Sequence, residues 1–167
     1  MAHKLRVTDE NVLICEGACV AGDVTLGKGV SVWYNAVIRG DEGPIVVGDN
    51  TNIQDGVVLH TGIDKLLSIG SGCTIGHNAI VHGCTVGSNV LIGMGSIVMD
   101  GARIGDDCIV GAGSLVTGKM DAPAGSLVLG SPAKVVRSLR PDELEMIRED
   151  AAVYLRNAEF YRSGSKD

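Results

Sequence analysis

Histidine is the side chain best suited to hold a metal ion or move a proton near neutral pH. This chain has four: His3 at the N-terminus, and His60, His77 and His82 in one stretch. Three imidazoles around one ion, with a fourth position left open, is the ligand pattern of catalytic zinc sites. Structural sites close with four protein ligands. The run "HNAIVH" is no helical zinc motif, because its histidines are five apart rather than the four that share a helix face. Whether the three rings can meet depends on the scaffold that carries them.

That scaffold is a repeat. Val20, Leu26, Val32 and Ile38 are spaced by six, and after "RGDEGPIV" the step resumes at Val47, Ile53 and Leu59. "HTGIDKLLS" is a second interruption, followed by Ile69, Ile75 and Val81. One unit is then a residue short, and Val86, Ile92, Val98, Ile104, Val110 and Val116 run unbroken. A helix repeats its apolar stripe every 3.6 residues, so this period excludes one. Six-residue units predict a parallel β-helix: each unit is one flat side, three make a coil, and the aliphatic residues stack inward.

The repeat places the histidines. His60 follows Leu59 and His82 follows Val81, so they fill one slot on the third side, one coil apart. Strands on adjacent coils lie roughly 4.8 Å apart. Rings at that spacing can tilt to share an ion at about 2.0–2.1 Å per bond. Arg39 follows Ile38 and continues the column as Arg39, His60, His82. His77 follows Ile75 by two and belongs to the second side, with Asp55 in its slot one coil earlier. Chain reach puts His77 roughly 10 Å or more from His82. One subunit should not gather all three rings. A threefold homotrimer could, by setting the His77 edge of one copy against the His60/His82 column of the next.

The rest of the composition bounds the alternatives. At 167 residues the chain reads as one domain with a real core. Twenty-four glycines and 3% aromatics suit a repetitive scaffold. A net charge of −6 leaves no basic footprint for nucleic acid or an anionic membrane. No stretch reaches the roughly 20 apolar residues of a membrane span, and the start has no apolar signal-peptide core. A cytoplasmic protein is expected. Cys15, Cys19, Cys73, Cys84 and Cys108 are odd in number and form no CxxC, so no disulfide framework is expected. Cys73 and Cys108 occupy equivalent repeat positions and read as small buried residues.

The repeat character holds over residues 1–136. "DAPAGSLVLGSPAKVVRSL" closes the solenoid, residues 137–162 carry a helix packed along it, and 163–167 read as a frayed tail. Pro141 suits a first helical position, and Asp142, Glu143 and Glu145 favour the helix N-terminus. Leu144, Ile147, Ala151, Tyr154, Ala158 and Tyr161 form one apolar face.

The stretches "VIRGDEGPIVVGDNTNIQDGVVLH" and "TIGHNAIVHGCTVGSNVLIGMGSIVMDGA" closely resemble γ-class carbonic anhydrases, as do "LGSPAKVVRSL" and the helix. The resemblance implies a left-handed winding of the β-helix. It also implies reversible hydration of CO₂, a small-molecule substrate, by a hydroxide bound to Zn²⁺ (or Fe²⁺ or Co²⁺). Its ligands would be His60 and His82 from one chain and His77 from the neighbour. Gln54 and Asn52 match polar residues near the bound water. Arg39, Asp41 and Asp55 match residues that frame the site and hold the trimer, with an Arg39–Asp55 contact across chains. Glu42 matches a proton-transfer glutamate, and Tyr154 a helix tyrosine near the site. The acidic loop of the prototype is replaced here by "TGIDKLL", which has Asp64 and no glutamate. Two other functions suit the same fold. One is acyl transfer or thioester hydrolysis on an acyl-CoA, which for transfer needs a single histidine base. The other is a non-catalytic, metal-bound trimeric scaffold.

Overall fold

The six-residue period folds as a parallel β-solenoid of about six turns with one helix at its end. The computed structural model describes residues 5–7 and 11–164. His3 and residues 165–167 of the expected tail lie outside them. Strands on successive coils pair in parallel register, so equivalent residues stack. One inward ladder runs Leu26, Val47, Ile69, Val86, Ile104. A second runs Val32, Ile53, Ile75, Ile92, Val110, Val128. The third runs Val20, Ile38, Leu59, Val81, Val98, Val116. Nearly all of these side chains are fully buried. Each contributes about 1.5–3 kcal/mol of apolar burial. Branched side chains suit the positions because they are stiff at χ1 and lose little freedom when stacked.

The corners turn through left-handed backbone. Asn78 (φ 58°) stacks on Gly56 (φ 69°), and a Cβ on Gly56 would overlap the Asn78 carboxamide. Asparagine tolerates this conformation better than other non-glycine residues. The corner matters because Asp55 and His77 flank it.

Of the two interruptions expected in the repeat, one is a loop and the other is not. "RGDEGPIV" does not break the coil. It is part of one continuous strand, Val37–Val47, which pairs with the long strand Cys19–Leu26. The chain crosses here from the third side to the first without a corner, joining both into one sheet. "HTGIDKLLS" does contain a loop, at residues 61–66, between the strands Val58–His60 and Leu67–Ile69. At the far end Ser126–Gly130 and Ala133–Ser138 pair antiparallel and close the solenoid.

The helix, α1, spans Pro141–Ser163, and Gly164 follows it with φ 65°. It packs on the second side, against the strands that carry Ile14, Val32, Ile53 and Ile75. Ile147, Ala151 and Ala158 are buried in that contact. Tyr161 departs from the expected buried face: it is 48% exposed, with its ring edge against Trp33. The Tyr161 ring also meets Tyr34 edge-on, so it packs on two aromatic rings at the margin of the contact. No helix of the described residues is long and apolar enough to cross a membrane.

Candidate metal centre

The chemistry-bearing residues form two groups on two sides of the solenoid. The first is the column on the third side. Arg39, His60 and His82 are in register on adjacent strands. The His60 and His82 rings meet edge to face with centroids 4.9 Å apart, and His60 Nδ1 lies 2.9 Å from His82 Nε2. The other nitrogen of each ring faces a carboxylate. His60 Nε2 is 3.1 Å from Asp41 Oδ1, and His82 Nδ1 is 2.5 Å from Asp100 Oδ1. The His60 side chain is 13% exposed and that of His82 34%, so small molecules can still reach the pair.

This arrangement suits a cation. A neutral imidazole has only one N–H. If each ring gives it to its carboxylate, two lone pairs face each other across 2.9 Å. A proton or a metal ion between them relieves that repulsion. Carboxylates on the outer nitrogens are the usual partners of metal-bound histidines, fixing the tautomer and raising ligand basicity. The two imidazoles therefore fit a borderline divalent ion such as Zn²⁺.

Both carboxylates are electrostatically supported. The Arg39 guanidinium is 2.5 Å from Asp41 Oδ2 and, with the His60 ring, holds the Asp41 carboxyl below its ordinary range. The His82 contact, then Lys65 at 3.3 Å, does the same for Asp100. Glu42 is exposed on the strand that carries Arg39 and Asp41.

The second group surrounds His77. Its Nδ1 is 2.9 Å from Asp55 Oδ2, and its Nε2 is 3.4 Å from the Tyr154 hydroxyl. Its backbone N–H donates to Gln54 Oε1 at 3.1 Å. Gln54 Nε2 donates to Asn52 Oδ1 at 3.2 Å, and Asn52 Nδ2 donates to Thr74 Oγ1 at 2.9 Å. Gln54 and Asn52 are buried, so this chain of amides is rigid as well as satisfied. The Tyr154 ring lies edge-on to Trp33, 5.5 Å between centroids. Burial, then the charges of Asp55 and Asp150, pushes its hydroxyl pKa up. The tyrosine is thus a neutral donor beside His77.

Within one chain Arg39 pairs with Asp41 and Asp55 with His77. Among the described residues no three His, Cys, Asp or Glu side chains gather as one metal site. Each chain presents two separate groups: the pair His60 and His82, and His77 beside Gln54 and Asn52. Two neighbours of these groups were not among the expected residues: Asp100 beside His82, and Trp33 beneath Tyr154. The signal for Trp33 is its place after an inward valine, in the slot that Gln54 fills one coil on. The signal for Asp100 is the short unit after His82, which alters the stacking at that corner.

An apolar groove of about 420 Å³ runs between the second side and α1. Leu91, Met94 and Ile109 are among its apolar lining, and Gln54, His77, Asp150 and Tyr154 among its polar lining.

Known proteins share this frame. The family described as bacterial transferase hexapeptide (six repeats) matches residues 83–118. A Methanocaldococcus jannaschii protein named "Probable carbonic anhydrase" is 47% identical over 154 residues, spanning 92% of this chain and 97% of its own length. "Gamma carbonic anhydrase 2, mitochondrial" of Arabidopsis thaliana is 40% identical over 96% of this chain, which spans 60% of that longer protein. Among solved structures, a hexapeptide transferase family protein from Anaplasma phagocytophilum superposes with a TM-score of 0.87 at 42% identity. That match covers 93% of this chain and 92% of the other. With its repeat, its stacked histidine pair and relatives of this identity over nearly its whole length, the chain belongs to the γ-class carbonic anhydrase family of hexapeptide-repeat proteins.

Proposed function

We propose that this protein hydrates CO₂ reversibly to bicarbonate at metal centres shared between the subunits of a homotrimer. His60 and His82 of one copy and His77 of the next would hold the ion. When bound, a divalent ion such as Zn²⁺ acidifies a coordinated water enough to make it nucleophilic near neutral pH. The observation that carries the reading is the convergence of His60 Nδ1 and His82 Nε2 at 2.9 Å, with Asp41 and Asp100 on their outer nitrogens.

The chain's own groups supply the rest. Asp55 on Nδ1 leaves the Nε2 of His77 as its outward ligand atom. Gln54, fixed by Asn52 and the His77 backbone, is held to orient water or CO₂ beside it. Tyr154, kept neutral by burial, is a hydrogen-bond donor at the same place. Glu42 and Asp64 are exposed carboxylates near the column, joined through the Asp64 N–H donated to the Glu42 carbonyl at 3.2 Å. Glu42 is the proton carrier to bulk water in this account. The decisive experiment is metal content and CO₂ hydration of anaerobically purified protein beside His77→Ala. Stoichiometric metal and hydration, both lost in the variant, are expected. Absence of bound metal would remove the proposal.

One observation favours a second reading. The 420 Å³ groove that His77 helps to line is far larger than a triatomic substrate and mostly apolar. It would accept an acyl chain, with the same centre hydrolysing a thioester. Turnover of short-chain acyl-CoA thioesters without CO₂ hydration would favour that reading.

A further inference from the structure

We propose that Asp100 and Lys65 are a positioning pair that fixes the orientation and tautomer of His82, a role that rests on reading His82 as a metal ligand. Asp100 Oδ1 accepts the Nδ1–H of His82 at 2.5 Å. With its proton held there, the ring presents the Nε2 lone pair toward His60. The second carboxylate oxygen, Oδ2, accepts from the Lys65 ammonium at 3.3 Å, so Asp100 is itself held from the far side.

The fold makes room for this contact. The unit from Val81 to Val86 is one residue shorter than the unit from Val98 to Ile104 stacked on it. The tight corner after His82 carries Gly83, at φ 48°. A Cβ there would overlap Asp100 Oδ1. The carboxylate occupies the space a side chain would take, which brings it over the His82 ring. Gly118, on the next coil, would likewise overlap the Asp100 carbonyl if it bore a Cβ. Glycine on both neighbouring coils leaves the Asp100 turn its place in the column.

Lys65 ties this contact to the loop after His60. Thr61, fully buried, donates from its hydroxyl to the Lys65 carbonyl at 3.1 Å. Lys65 N–H donates to the Gly62 carbonyl at 3.1 Å, and Asp64 N–H to the Glu42 carbonyl. The loop that follows one imidazole is thus folded so that its lysine holds the carboxylate of the other. Residues 61–66 serve the metal site through position, although they offer it no ligand.

The test compares wild type, Asp100→Asn, Asp100→Ala and Lys65→Met by two readouts. Nitrogen-15 spectra of the histidines in metal-free protein report the tautomer, and competitive titration with Zn²⁺ reports affinity. Wild type should hold His82 with its proton on Nδ1. Asp100→Asn should keep that tautomer, because its amide oxygen still accepts, whereas Asp100→Ala should lose it. Zn²⁺ affinity should fall about 10–100-fold in Asp100→Ala, and less in Asp100→Asn and Lys65→Met. A merely structural Asp100 would alter melting temperature without moving the tautomer, and that outcome overturns the role. Tight Zn²⁺ binding by wild type with equal affinity in Asp100→Ala overturns it while leaving the metal centre intact. A wild type that binds no Zn²⁺ overturns the metal centre itself. If Asp100→Ala fails to fold, Asp100→Leu replaces it in the tautomer readout and Lys65→Met in the affinity readout, and wild-type behaviour of both overturns the role.

Discussion

His60 Nδ1 and His82 Nε2 face each other at 2.9 Å from neighbouring coils, held by the parallel pairing of Leu59 with Val81. Two imidazoles so placed attract a cation. Zinc should therefore raise the melting temperature of the wild type, by the equivalent of about 2.7 kcal/mol at a hundredfold excess over Kd. His82→Ala should lose most of that shift. Differential scanning fluorimetry with and without zinc measures it, and an equal shift in both proteins would contradict the pairing.

The buried amide chain beside His77 gives a second prediction. Gln54 is 5% exposed and satisfies both the His77 N–H and the Asn52 oxygen. Gln54→Ala leaves those groups without a partner, a cost of about 1–3 kcal/mol. Urea denaturation should show that loss, and CO₂ hydration per bound metal should fall as well. Unchanged hydration per metal would remove Gln54 from the chemistry and leave it a structural part.

Leu59 precedes His60 and is fully buried in the third ladder. Leu59→Ala should destabilise the fold by about 2–5 kcal/mol, as cavities in packed cores do. Its measure is the denaturation midpoint. A change below the lower figure would mean that the coil collapses around the gap.

The docking of α1 should depend on acid. Glu143 accepts from both terminal nitrogens of Arg137 at 2.7 Å and from the Arg140 N–H at 2.8 Å. Arg137, followed by the Arg140 backbone, holds the Glu143 carboxyl at about 2, below its ordinary 4.5. The folded value is the depressed one, so the stabilisation is complete above 4.5 and vanishes as pH falls through about 2. Melting temperatures of wild type and Glu143→Gln should differ at neutral pH and converge on acidification across that window. A constant gap would show that the pair is not the cause.

The cysteines should divide by burial. Burial pushes Cys73 up to about 11 and, with Asp100, Cys84 up to about 12. Cys19 is exposed. A maleimide at neutral pH should label Cys19 in folded protein, and Cys73 and Cys84 only after denaturation, as read by peptide mass mapping. Labelling of Cys84 in the folded state would mean that the corner beneath Asp100 opens.

The period of the aliphatic residues is enough to place His60 over His82 and His77 on another side, because parallel coils stack residues at equivalent positions. It does not reveal that Val37–Val47 runs straight on, since a strand that skips a corner keeps its inward alternation and looks like an interruption. Asp41 enters through family resemblance, yet its contact with the outer nitrogen of His60 follows only from that straight strand. Asp100 was hidden for a different reason. It reaches His82 across a corner one residue short, and its effect depends on Gly83 having no side chain. Tyr154 was readable as core or as site, and the fold sets its ring on Trp33 and its hydroxyl beside His77.

The central claim is that each metal centre takes its ligands from two copies of the chain. Co-expression of His77→Ala with His82→Ala tests it most directly. Neither variant alone has a complete site. In randomly mixed trimers an intact His60/His82 pair meets an intact His77 in about one site of four. Zinc content and CO₂ hydration of the mixture should return to about a quarter of wild type, while each variant alone stays near zero. Full metal occupancy in His77→Ala alone, or no recovery in mixed trimers, would contradict the shared centre.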